Sequence, residues 1–552
     1  MRVSTTSCSF RLRLMQTTPS DKRAKSNRRK KIMSAKVLLL GICAANRDLL
    51  LEWASAGLLP NYASAMQRGL TGLVDSMPGF YVGTTWPSFA TCVSPAKHSR
   101  HYILQLEPGT YQYRREPKGH GIRRPPFWQA LSRAGRKVAL FDIPHAALTD
   151  GFDGVQVVEW GAHDGDFGEM KTSPPSLRGQ IDSMFGPHPA PRGCDGRKKP
   201  DEVAKFRDQL VAGAALRADI TLHHLIGQRW DLFAQVWTES HCVGHQCWHF
   251  HDSSHPLHRP EITALVGDPV RDVYVAIDAA IGRVLATVDS GTTVILFTGH
   301  GMGAKYDSQF FLDDILLRLG YAAAPHTETA DEYMKSASRH RRLDRLLTRA
   351  WQALPSAIKH STQPLRTSLR GWVEERRPPP LPRIDAATSL CFPVPNNAVH
   401  GGVRINVVDR EPQGAVKRGA EYDAVCERLS ADLADIVNVD TGEPIVNRIF
   451  RTDSMYSGDC LDFLPDLLIE WNQKSRVRSI ASSKIGRIQA DDPYTRTGDH
   501  RKGGVFVAFG PHIVPGKLAQ PVQVTDFGPT IARLLEVPLP DTEGVPITEI
   551  AP

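Results

Sequence analysis

The chain has 552 residues, 41% of them hydrophobic and 23% charged, a globular balance that excludes a collagen-like or wholly disordered polypeptide. Its formal net charge of +8 points towards nucleic acid or a membrane surface, but the charge is unevenly placed. Residues 1–32 carry +9 and residues 335–377 carry +8, which leaves −9 for everything else: a mildly acidic body with two basic attachments.

Taken in order, residues 1–35 show no apolar periodicity and are expected to form a basic disordered tail; an over-called start, with Met33 three residues before the first strand as the true one, is favoured over a loosely transit-peptide-like leader. KVLLLGIC (36–43) is a continuous apolar run, the pattern of a central strand covered on both faces. Asn46 is placed to cap a helix whose Leu49, Leu50 and Trp53 repeat at helical spacing until Gly57. In TTWPSFATCVSPAKHS (84–99), Thr85 stands at the start of a helix with an early Pro87. A hydroxyl there faces free backbone N–H groups, which favour an alkoxide or a bound phosphoryl group; a simple helix cap is the alternative.

Further buried strands are predicted at 137–143, 231–237, 293–299 and 504–510, with helices between them such as 270–288. This alternation predicts an α/β sandwich around a mostly parallel central sheet with helices on both faces. The core runs over 36–320 and is completed by 396–552. Between the two parts, residues 321–395 read as a basic helical insertion, with Leu343, Leu346, Leu347, Ala350, Trp351 and Leu354 on one face. That insertion either packs on the core with a solvated basic face, or touches an anionic surface through 335–377. Nowhere does an apolar run reach the roughly 18 residues of a bilayer span. Nine scattered cysteines do not form a disulfide framework, and the expected location is cytoplasmic.

Reactive side chains collect where the strands end, the place where α/β sheets carry their chemistry. Cys43 ends the first strand. After 231–237 come His241 and His245, four apart and so on one helical face, a spacing that brings two imidazoles to one metal. His300 follows 293–299, and His500 precedes 504–510. Arg404 and Arg410 are candidates for gripping substrate charge; the alternative for RINVVDREP is a strand and turn held by ion pairs.

These motifs, with NRDLLLEWASAGLLPNYASAMQRG (46–69), GGVRINVVDREPQGAV (401–416), PDLLIEW (465–471) and VTDFGPTIARLLEVPLP (524–540), occur in an order that resembles the alkaline phosphatase superfamily. The resemblance is to its type I phosphodiesterase and nucleotide pyrophosphatase branch, and implies an alkaline phosphatase-like three-layer sandwich. It also implies two divalent metals, usually zinc, beneath a nucleophilic Thr or Ser. Carried over by position, Thr85 matches the nucleophile, His245 and His500 match one metal site, and His300 matches the other. Three expected aspartates are replaced: by Cys43, by His241 and, before His300, by Gly299. One firm zinc site at His241, His245 and His500 is therefore expected, with a second around Cys43, Thr85 and His300 weak or absent. Glu239 and Asp499 stand beside ligands as substitutes or orienting partners.

The implied function is a metal-dependent hydrolase of phosphate esters or diesters acting on a small anionic substrate. The alternative is a non-catalytic relative that binds metal or an anion without turnover. No nucleic-acid recognition motif occurs.

Overall fold

The computed structural model describes residues 36–81, 83–115, 121–161, 169–190, 198–325, 383–397 and 399–552. The expected tail, and the basic face expected over 335–377, lie outside the described residues.

In chain order the strands that build and flank the site are β1 (Val37–Ile42), β2 (Leu70–Asp75), β3 (Val138–Phe141), β4 (Gly154–Val158), β5 (Lys171–Ser173), β6 (Leu232–Trp237), β7 (Thr293–Thr298), β8 (Gly301–Ala304), β9 (Gly498–Arg501) and β10 (Gly504–Phe509). Eight of them form one sheet in the spatial order β2-β10-β7-β1-β6-β3-β4-β5, and β8 and β9 form a separate antiparallel ribbon. β1 is buried at every residue and pairs in parallel with β6 and β7. A continuous apolar run is what a strand needs when both of its faces are covered. β10 runs antiparallel to both β2 and β7, and β5 runs antiparallel to β4.

The helices used below are α1 (Arg47–Ser55), α2 (Thr85–Thr91), α3 (Phe127–Arg133), α4 (Pro200–Leu225), α5 (Glu239–His251), α6 (Pro269–Leu285) and α7 (Phe527–Leu534). α4, α5 and α6 pack together, and α2, α3 and α7 form a second group, giving three layers with the sheet between. Asn46 caps α1 as expected, its Oδ1 accepting from Leu49 N at 2.8 Å. The same side chain donates Nδ2 to Met302 O at 2.6 Å, so the exit of β1 is tied to the β8–β9 ribbon. The parallel trio β7-β1-β6 thus sends its three carboxyl ends to one place, followed by His300, Cys43 and α5.

A second apolar core gathers Phe311, Leu312, Ile315, Tyr321, Ile384, Cys391, Val403 and Leu467, over an antiparallel sheet ordered Cys391–Val394, His400–Ile405, Leu467–Trp471, Val446–Arg451. Cys391–Val394 is therefore a strand of this sheet, and Tyr321 and Ile384 belong to its core. The two flanks of 326–382 are joined by Asp385 N donating to Ala323 O at 2.8 Å. Pro393 is tolerated because its strand lies at the sheet edge.

Candidate active site

His241 and His245 sit one turn apart on α5, and the β8–β9 ribbon brings in His500, opposite Met302 in register. The ribbon lies directly on the helix backbone: a Cβ at Gly498 would stand 2.2 Å from Gly244 O. Thr497 N also donates to His245 O at 2.8 Å. Glycine at 498 is thus what lets β9 close on α5. The result is a buried set of His241, His245 and His500 with one ligand nitrogen each, all within 4.8 Å of one another. Among the described residues it is the only group of three or more His, Cys, Asp or Glu arranged in this way.

Two of these rings are turned by partners on the far side. His245 Nδ1 donates to Gly498 O at 2.8 Å, which leaves Nε2 facing His241 Nε2 at 3.2 Å. His500 Nδ1 donates to Asp499 Oδ1 at 3.0 Å, the carboxylate–histidine arrangement that orients a ligand and raises its basicity. Burial opposes ionisation of Asp499, yet the hydrogen bond from His500, with the Lys305 charge, holds its carboxyl far below the usual range. Burial, then Arg496 and the neighbouring histidines, holds His245 well below the ordinary imidazole range. It is neutral at neutral pH, and its Nε2 lone pair accepts from Arg496 Nη1 at 3.3 Å.

This donor set could hold a metal ion. Two nitrogens on a tetrahedral ion at about 2.1 Å stand about 3.4 Å apart, close to the 3.2 Å between the two Nε2 atoms. Three imidazoles with no carboxylate suit zinc and poorly suit magnesium, which takes oxygen ligands.

The other expected residues divide. The His300 ring lies 4.8 Å from that of His500, and its buried Nδ1 has no hydrogen-bond partner; it borders the set without joining it. Cys43 is buried at the end of β1, its N–H on Trp237 O and its carbonyl accepting from Ser240 Oγ. Its thiol joins no such group either, so the looser grouping expected around Cys43 and His300 offers no second set of three. Glu239 joins no such group. Burial favours its neutral form, but Arg217 and His188, at 3.1 and 3.0 Å, outweigh that and hold it ionised, down to about 2.

Thr85 is the first residue of α2 and 1% exposed. Its Oγ1 donates to Tyr81 O at 2.8 Å and lies 2.7 Å from Ser76 Oγ. With the single Thr85 proton on the carbonyl, Ser76 is the donor in the second bond. Its methyl faces Gly299: a Cβ built there would lie 2.6 Å from Thr85 Cγ2. Thr85 therefore stands against the residue that precedes His300.

Arg404 and Arg410 belong to the second core, and their guanidiniums are already engaged. Arg404 pairs with Glu411 at 2.5 Å and donates to Leu464 O; Arg410 pairs with Asp466 at 2.6 Å and with Glu411 at 2.9 Å. This is the ion-pair alternative left open by the sequence, and no described contact brings either arginine to the histidines. The sequence reading missed Arg496, whose NH1 is 3.3 Å from His245 Nε2, and it missed Ser76. Arg496 lies four residues before His500 in a polar loop, and nothing in its sequence context marks it.

A family model described as type I phosphodiesterase / nucleotide pyrophosphatase matches residues 37–500. No curated protein matches. Among solved structures, murine ectonucleotide pyrophosphatase / phosphodiesterase 5 is similar at 11% identity, over 92% of this chain and 97% of that one, with a TM-score of 0.45. An inactive form of the same murine protein, in complex with AMP, gives the same values. Phosphonoacetate hydrolase from Sinorhizobium meliloti 1021, in complex with phosphonoacetate, is similar at 12% identity over 92% and 97% of the two chains, with a TM-score of 0.47.

Proposed function

We propose, given that the chain belongs to the type I phosphodiesterase / nucleotide pyrophosphatase family, that it is a metal-dependent hydrolase of phosphate esters or diesters with Thr85 as its nucleophile. The observation that carries this reading is the convergence of His241, His245 and His500, two of them oriented by Gly498 O and Asp499. Zinc held there would supply Lewis-acid polarisation of a phosphoryl oxygen.

The chain's own groups do the rest. Thr85 Oγ1 leaves the Tyr81 carbonyl and bonds to phosphorus, and the leaving oxygen departs with its bonding pair and the proton from Thr85. Water then cleaves the threonine ester and returns a proton to Oγ1. Arg496, whose Nη1 donates to His245 Nε2 at 3.3 Å, is the guanidinium beside the set and would take phosphoryl oxygens once released from that nitrogen.

One observation favours the non-catalytic alternative: the Thr85 hydroxyl is buried and spent on Tyr81 O. Purified protein stripped by a chelator and reloaded with zinc separates the two. Hydrolysis of a nitrophenyl phosphodiester or monoester that returns with zinc supports the hydrolase. Full zinc loading without turnover of either ester excludes it.

A further inference from the structure

Gly299 reads as a lost ligand when it is compared with the aspartate expected before His300. Its surroundings give it a different role. A Cβ at this position would meet Thr85 Cγ2 at 2.6 Å, Phe297 Cζ at 3.1 Å and Val524 Cγ2 at 3.5 Å. None of the three yields readily. Phe297 is packed among Trp86, Phe89 and Phe527, at ring-centroid distances of 5.7, 5.4 and 4.5 Å. Val524 is fully buried.

Thr85 is the most constrained. It is β-branched and helical, with few rotamers open to it. Its Oγ1 is held at 2.8 Å by Tyr81 O and at 2.7 Å by Ser76 Oγ. Turning the methyl away from residue 299 breaks both hydrogen bonds, because methyl and hydroxyl share one Cβ.

We infer that Gly299 is a positioning residue for Thr85: the missing side chain is the space that the threonine methyl occupies, and it fixes where the hydroxyl points. The inference rests on the reading of Thr85 as nucleophile and extends it. The same contact accounts for the absence of a carboxylate beside His300. An aspartate side chain begins with the very Cβ that Thr85 Cγ2 excludes, so in this chain a threonine with this rotamer and an acidic residue at 299 are alternatives.

A double-mutant cycle tests this, because Thr85→Ser removes Cγ2 and keeps the hydroxyl. Four variants are compared for kcat, KM, zinc content and melting temperature: Gly299→Ala, Thr85→Ser, the two combined, and Thr85→Ala. Gly299→Ala is expected to lower kcat by about tenfold or more and to lower the melting temperature, with KM and zinc content nearly unchanged. In the combined variant, kcat is expected to return to within about twofold of Thr85→Ser alone, and the melting temperature to recover with it. A combined variant whose losses simply multiply overturns the inference, because the glycine then does not act through the methyl. Failure of the functional reading looks different: Thr85→Ala would keep its turnover. In that case the melting temperatures still decide the contact, since recovery in the combined variant supports it and its absence refutes it.

Discussion

Asp499 makes the clearest quantitative prediction about the histidine set. Its Oδ1 accepts from His500 N at 2.8 Å and from His500 Nδ1 at 3.0 Å, which fixes the ring and directs Nε2 at the other two imidazoles. Removing such an orienting partner lowers metal affinity about 10- to 100-fold, or about 1.4–2.7 kcal/mol. Asp499→Asn keeps the shape and one acceptor oxygen but loses the charge, so about tenfold is expected. Asp499→Ala also frees the ring, and about a hundredfold is expected. Competition against a chromophoric zinc chelator at neutral pH measures both, with circular dichroism as the control for folding. An unchanged zinc affinity in folded Asp499→Ala would refute the claim that this carboxylate holds the metal ligand in place.

Three further outcomes follow from other parts of the molecule. His98, His101 and His400 are buried, and burial pushes each pKa down to about 3. They stay neutral in the folded chain while the unfolded chain takes up protons below about pH 6.5. Their contribution is complete above that pH and is lost as pH falls towards 3. At about pH 5 each costs about 2 kcal/mol, against a total stability of about 5–15 kcal/mol, so urea midpoints should fall steeply between about pH 6.5 and about pH 5; a flat profile contradicts this. Arg410→Ala leaves Asp466 buried without its main partner and should cost about 3–5 kcal/mol of stability, with KM unchanged. A raised KM at unchanged melting temperature would instead make Arg410 a substrate residue. Finally, His300→Ala should keep the tightly bound zinc and His500→Ala should lose it, as read by metal analysis after dialysis; the reverse pattern contradicts the three-histidine assignment.

The central strands were legible because both of their faces are buried. A doubly covered strand has to be a continuous apolar run, as in KVLLLGIC and TVILFTG, and those segments form β1 and β7. The α1 cap was readable for a similar reason, since Asn46 acts within three residues of itself. The short strand Cys391–Val394 was not legible. Four residues including a proline carry no periodicity, and they become a strand only by pairing with His400–Ile405.

The site shows the same division. His241 and His245 announce themselves by helical spacing, and His500 by its place before a strand. Arg496, Ser76 and the Gly299–Thr85 contact depend on segments brought together across the chain, and local pattern does not encode such approaches. The aspartate–histidine pair at 499 and 500 lies between, because adjacency suggested a partner while only the fold shows which nitrogen it takes.

The most direct test is the turnover of zinc-loaded Thr85→Ala beside zinc-loaded wild type, with metal content measured on the same samples. The account predicts one tightly bound zinc in both proteins, ester hydrolysis by the wild type, and a loss of kcat of at least about a thousandfold in the variant. Hydrolysis that survives in Thr85→Ala, or a zinc-loaded wild type that turns over no phosphate ester, contradicts it.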